Sequence, residues 1–258
     1  MEHSSVQPAP SKLNKVPEIT LVFWLVKIMS TTIGETGADY LAVNVGWGTA
    51  ITDVVMSIFL VGALMLQLRN RRYVPAAYWL TVVLVSIVGT QITDLLTDNL
   101  GVSLYTSTLV FSGILASIFF FWNRSEGTLS VHTIFTLRRE LFYWGAILCT
   151  FALGTAAGDL ATEELGLGFR VGVVVFLALI AGVGLAYRFK LNAVLAFWMT
   201  YILTRPLGAS LGDYLAQARK YGGLGWGTVN TSLGFLSVIV LAVTYLGFTQ
   251  KSLEEVKK

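Results

Sequence analysis

The chain has 258 residues, 55% hydrophobic and 13% charged, with a formal net charge of only +3. A soluble domain of this length carries about 25% charged residues. That shortfall, with a mean hydropathy of +0.69, excludes an ordinary soluble protein and any broad basic face for nucleic acid, and points to several membrane spans.

Eight apolar runs of about 20 residues, each long enough for the ~30 Å hydrocarbon core, lie near 19–41, 47–68, 75–97, 101–122, 139–161, 167–188, 191–215 and 226–248. Residues 1–17 are polar, contain Pro8, Pro10 and Pro17, and lack the pattern of a cleaved signal peptide; they read as a disordered cytoplasmic tail. The membrane part divides into 18–122 and 138–250. Between them is a polar loop, 123–137, with His132, and residues 251–258 form a second cytoplasmic tail. The single cysteine, Cys149, allows no internal disulfide and reads as a small packing residue.

Thirteen of the 18 basic residues fall on one side of this topology: Lys12, Lys15, Arg69, Arg71, Arg72, Arg124, Arg138, Arg139, Arg188, Lys190, Lys251, Lys257 and Lys258. Arg170, Arg219 and Lys220 fall on the other, while Lys27 and Arg205 lie within spans. The positive-inside rule then places both termini in the cytoplasm. The expected protein is an all-α, eight-span protein of the bacterial inner membrane, with the lipid bilayer as its main partner.

One segment recurs four times: Gly34–Asp39, Gly89–Asp94, Gly154–Asp159 and Gly208–Asp213. Fifteen residues before each Asp stands a Trp (Trp24, Trp79, Trp144, Trp198), preceded by Phe23, Tyr78, Tyr143 or Phe197. Each repeat is two helices long, so all four units run the same way: parallel repeats, with rotational pseudo-symmetry about the membrane normal expected. Fifteen residues of helix span about 22 Å, which puts the Trp at the cytoplasmic interface, in an aromatic belt, and the Asp toward the outer end. The four glycines have two readings: close helix packing, or room for a ligand beside the Asp. The GWGT segments Gly46–Thr49 and Gly225–Thr228 read as outer turns, with Trp47 and Trp226 as interface anchors.

Four-residue spacing sets a polar stripe on one helix face around each Asp. The stripes are Lys27, Thr31, Glu35, Asp39; Thr90, Asp94, Asp98; Thr155, Asp159, Glu163; and Arg205, Ala209, Asp213, Gln217. Seven carboxylates face two cations. A charge at the centre of a span costs about 2.5–3.5 kcal/mol on insertion scales, so the surplus acids are either protonated or joined by a cation. A protein alternating between those states exchanges protons for a cation. Asp39, Asp94, Asp159, Asp213, Glu35, Asp98 and Glu163 are the candidate ligands, supported by Thr31, Thr90, Thr155, Lys27 and Arg205. Oxygen donors without His or clustered Cys suit a hard divalent cation such as Mn, Mg or Ca. Lys27 and Arg205 read either as internal salt bridges, Lys27 to Glu35 and Arg205 to Asp213 or a neighbouring acid, or as built-in cations that leave when metal enters. Asp53, off the repeat, reads as a further acid of a site or as a helix N-cap.

The stretch Val16–Leu21 with Phe23–Trp24, and Thr31–Thr36 with Ala38–Asp39, resembles a bacterial family of uncharacterised multi-pass membrane-anchored proteins. The resemblance extends over most of the chain and implies no established activity. Three other readings stand beside cation transport: a scaffold or sensor with structural Asp residues, a small-solute carrier, and an intramembrane aspartyl protease. The last is disfavoured because Ala156 and Ser210 replace the first glycine of its motif; no enzymatic role is expected.

Overall fold

The computed structural model describes residues 14–40, 45, 46 and 48–255; the side chains of 38, 39 and 251–255 lie outside that description. Eight long helices follow one another: α1 (Leu21–Asp39), α2 (Gly48–Arg69), α3 (Pro75–Asp94), α4 (Leu104–Glu126), α5 (Leu137–Asp159), α6 (Gly168–Arg188), α7 (Ala193–Ala216) and α8 (Thr228–Glu255). Local chemistry sets their ends. Side-chain oxygens of Thr20, Ser103, Thr136 and Asn192 accept the first free backbone N–H groups of α1, α4, α5 and α7, as helix N-caps do. Pro75 opens α3, where its missing N–H costs nothing. Both GWGT segments are turns as expected: Gly46, Gly48, Gly225 and Gly227 have positive φ, and α2 and α8 begin there. Trp226 is exposed; Trp47 lies outside the described residues.

The odd-numbered helices form an inner ring, in the order α1–α3–α5–α7 and back to α1. Each even helix packs outside the odd helix of the next unit: α2 on α3, α4 on α5, α6 on α7 and α8 on α1. The two helices of one repeat are thus not each other's main partners, and every seam in the circle is closed by a neighbour. Burial follows this order. Most of α3, α5 and α7 is buried all round. The buried residues of α2 are a single stripe, Thr52, Met56, Leu60, Ala63 and Gln67, the pattern of a helix with one protein-facing side. Six helical segments are long and apolar enough to cross a membrane, those containing α2, α3, α4, α5, α6 and α8.

The four repeat glycines lie where the inner helices touch. A Cβ on Gly34 would overlap Ser86 of α3, and one on Gly154 would overlap Arg205 of α7. On Gly89 it would come within 2.6 Å of Phe151 Cβ in α5, and on Gly208 within 2.5 Å of Thr31 Cγ2 in α1. In the repeat these partners are one position: Thr31, Ser86, Phe151 and Arg205 each follow their Trp by seven residues. Each glycine therefore meets the same site on the next helix round the ring, so the packing reading of the glycines holds.

The repeat Trp residues do not form a lipid-facing belt. Trp79, Trp144 and Trp198 are buried inside the bundle at 2%, 5% and 3% exposure. They pack with Phe23, Tyr78, Tyr143 and Phe197 in one connected set of tilted and edge-on ring contacts. Converging inner helices leave room there for large side chains, and tilted and edge-on aromatic contacts are favourable. Residues 14–17, grouped with the tail from sequence, are packed against this end. Lys15 Nζ donates to Glu140 Oε2 at 2.5 Å and to Leu68 O at 3.1 Å. Asn14 Oδ1 accepts from Ile134 N at 3.0 Å, and Ile134, in the loop between α4 and α5, is fully buried. Burial pushes the Tyr73 phenol, in the α2–α3 turn, above its ordinary range; the hydrogen bond its oxygen accepts from Trp79 Nε1 acts the other way. His132 is exposed, as expected.

Two tests follow from this packing. Gly89→Ala and Gly208→Ala should each cost about 1–3 kcal/mol by overpacking, while Gly184→Ala, with open space around it, should be neutral or slightly stabilising; thermal denaturation of the purified protein ranks them. Lys15→Met strands a fully buried carboxylate and should cost about 3–5 kcal/mol. The double variant Lys15→Met with Glu140→Leu should recover much of that loss, and equal damage in single and double variants would refute the pairing.

Candidate functional site

Along the axis of the inner ring, polar groups succeed one another beyond the aromatic layer. The first is Lys27 of α1, 1% exposed. Its amine lies 4.3 Å from the ring centres of both Phe151 and Tyr201 and donates to Thr31 Oγ1 at 3.3 Å. The amine is thus enclosed by two ring faces and a hydroxyl. The expected Lys27–Glu35 pair is not made.

Glu35 instead pairs with Arg205. This guanidinium is fully buried. Its Nη2 donates to Glu35 Oε2 at 3.0 Å, to Thr155 Oγ1 at 2.7 Å and to Thr90 Oγ1. Glu35, Thr90 and Thr155 each follow their repeat Trp by eleven residues. One side chain of the fourth unit thus reaches the same position in the other three, which places the guanidinium on the pseudo-symmetry axis. Among the described residues its Nε and Nη1 have no hydrogen-bond partner, nor does the buried Tyr201 hydroxyl. Pro206, the next residue, is inside α7 and leaves its helix one backbone hydrogen bond short.

The acids lie toward the far end. Asp94, Asp159 and Asp213 are half-buried. Asp159 is close enough to interact electrostatically with Glu35, Asp213, Glu163 and Asp94, and Glu163 with Glu35 and Asp98. Asp98 and Glu163 are themselves exposed, and Asp98 Oδ1 accepts from Thr97 Oγ1 at 3.2 Å. The Asp39 side chain lies outside the described residues. Among the described residues, no three of His, Cys, Asp and Glu come together as a metal-holding group; the acids share a neighbourhood without forming a closed coordination shell.

Three of the four units change helix type directly after the Asp. Val45 N, Leu100 N and Leu165 N each donate to a carbonyl five residues back, on Tyr40, Leu95 and Leu160, at 3.0, 3.1 and 2.9 Å. These are π turns, which loosen the α-helical ladder and recur at functional positions. The fourth unit leaves its helix at Gln217 in extended backbone instead.

Asp53, five residues inside α2, is neither an N-cap nor part of the inner ring; it lines an outer groove with Val54, Ser57, Ile58, Val61, Gly62 and Met65. Cys149 is buried, its thiol donating to Phe111 O at 3.4 Å, consistent with a packing role. Phe151 and Tyr201, which hold Lys27, were not singled out from the sequence. Aligning the units on their Trp would have found them: Tyr201 is the fourth unit's counterpart of Lys27, and Phe151 the third unit's counterpart of Arg205.

No curated protein and no solved structure matches the chain. Four segments, residues 22–73, 77–128, 142–190 and 196–252, each match one repeat family, and each covers one odd helix with the even helix that follows it. The chain belongs to the family of the Repeat of Unknown Function (DUF347), of which it carries four copies in a closed ring.

Proposed function

We propose that the protein is an eight-span carrier of the bacterial inner membrane that exchanges protons for a hard cation, Mn, Mg or Ca, with both termini in the cytoplasm. The gathering of Glu35, Asp94, Asp159 and Asp213 at one end of the ring, beside Arg205 on its axis, carries this reading. In it α1 and α7 also span the bilayer. They lie within the ring, so they need little of the lipid-facing apolar surface that marks the outer helices.

Arg205 works in this scheme as a tethered cation. It neutralises Glu35 while no metal is bound and must withdraw when a divalent ion takes its place. Protons on the remaining carboxyls supply the other neutral form, so the site is occupied either by protons and Arg205 or by the ion. Asp39, Asp98 and Glu163 extend the acidic surface around this centre, and Thr90 and Thr155 offer oxygens once Arg205 has moved. Lys27, next along the axis, fills the space between the acids and the aromatic layer and so narrows any open path.

A carrier of small organic solutes is the second reading, favoured by the unpartnered Nε and Nη1 of Arg205 beside Phe151.

Two measurements test the proposal. In proteoliposomes with an opposing proton gradient, Asp159→Asn and Asp213→Asn should lower Mn²⁺ flux at least tenfold, and Arg205→Met should uncouple it from the gradient. Parent-like flux in all three variants across Mn²⁺, Mg²⁺ and Ca²⁺ would sink the cation reading. For topology, Asn70→Cys and Lys190→Cys should react with an impermeant maleimide only from the cytoplasmic side, and Gly101→Cys and Gly222→Cys only from outside; the reverse pattern would invert the orientation.

A further inference from the structure

A hollow of about 440 Å³ opens beside the acidic end, lined by Thr162, Glu163, Gly168, Phe169, Gln217 and Tyr221. It lies where the π turn after α5, the start of α6 and the loop after α7 meet. Glu163 and Gln217 stand four residues beyond Asp159 and Asp213, so the hollow lies over the acidic stripes of the third and fourth units. We propose that it binds small organic ammonium ions, and this rests on reading the acidic end as a place for positively charged guests.

Size is the first argument. The volume lies within the range of small-molecule pockets, about 300–1,000 Å³, and equals the share of about fifteen waters at ~30 Å³ each. A metal ion with its inner waters would leave much of it unfilled. The lining is the second argument. One carboxylate, Glu163, faces one positive charge, whereas a hard divalent ion collects six or more oxygens, several of them charged. Glu163 makes no ion pair or side-chain hydrogen bond among the described residues. Phe169 and Tyr221 offer ring faces, which attract alkylammonium groups. The Gln217 amide oxygen and the Thr162 hydroxyl can accept N–H donors.

The chain itself supplies a stand-in for such a guest. Lys220 Nζ, an alkylammonium, lies 4.6 Å from the centre of the Tyr221 ring. Next to the hollow, a Cβ on Gly172, one helical turn on from Gly168, would come within 2.7 Å of Thr162 Cγ2 and 2.9 Å of Ser210 Oγ, a buried hydroxyl with no hydrogen-bond partner among the described residues. Unit two lacks this arrangement: Asp98, the counterpart of Glu163, accepts a hydrogen bond from Thr97. The fourfold repeat is thus broken at its rim, and one seam is fitted for the guest.

Isothermal titration calorimetry of the full chain in nanodiscs, with n-butylammonium chloride as the probe, tests the proposal. The parent should bind the probe, and Glu163→Gln should weaken binding at least tenfold. Tyr221→Leu should weaken it about threefold. Lys220→Ala should tighten it about threefold by removing the competing amine. Glu164→Gln, one residue on and outside the hollow, should change nothing. No binding by the parent, unchanged affinity in Glu163→Gln, or equal losses in Glu163→Gln and Glu164→Gln would overturn it. Mn²⁺ flux that responds to Asp159→Asn while n-butylammonium fails to bind would remove this inference alone. Probe binding that depends on Glu163, in a protein with no Mn²⁺ flux, would remove metal exchange and leave this site standing.

Discussion

The close approach of four inner helices at four glycines governs the molecule. Lipid gives helices no hydrophobic reason to associate, so contact area and polar bonds must hold them together. A glycine at each crossing lets the next helix lie against bare backbone, and the position it meets is Thr31, Ser86, Phe151 or Arg205. That crossing brings the residues one turn further on toward the common axis. Arg205 reaches Glu35, Thr90 and Thr155 together because the ring is tight there. A wider ring would leave a guanidinium and a carboxylate apart in a medium where an unpaired charge is costly.

The axis is graded in charge. Its first layer is aromatic, its second holds Lys27 over two ring faces, its third is Arg205 with Glu35, and the acids follow. Interaction between charges strengthens as water is excluded, so the order of layers matters more here than the small net charge of the chain. Pro206, directly after Arg205, and the π turns after Asp94 and Asp159 are places where the helical ladder is already interrupted.

Much of the architecture was legible because it is periodic. The Trp-to-Asp spacing and the even number of helices per unit set four parallel repeats, and the apolar runs marked all eight helices, although α8 runs on to Glu255, past the end of its run at 248. The stripes drew attention to Thr90, Thr155, Glu35 and Arg205, which meet at the axis. Partner choice was not legible. A stripe shows which face a residue shares, not which helix lies opposite, so Glu35 was assigned to Lys27 on its own helix when its partner was Arg205, 170 residues away. Trp beside an interface reads as a belt on one helix, but four such helices packed face to face turn three of those rings inward. The π turns carry no composition signal, and the burial of Lys15 depends on Glu140, 125 residues distant.

The outer helices add a constraint that the repeat alone does not contain. Because α2 covers α3, α4 covers α5, α6 covers α7 and α8 covers α1, no unit can tilt as a separate body. Moving α7, which carries Arg205, drags α6 and disturbs α1 and α5 in the same step. At the basic end, the segment 14–17 and the loop before α5 tie the bundle shut through Lys15, Glu140 and Ile134. At the acidic end the seam between α5, α6 and α7 is hollow. The α6–α7 pair holds both the axial guanidinium and part of the rim of the hollow. A shift of α7 that reached a guest at Glu163 would therefore reach the Arg205–Glu35 contact and the seams with α1 and α5 together.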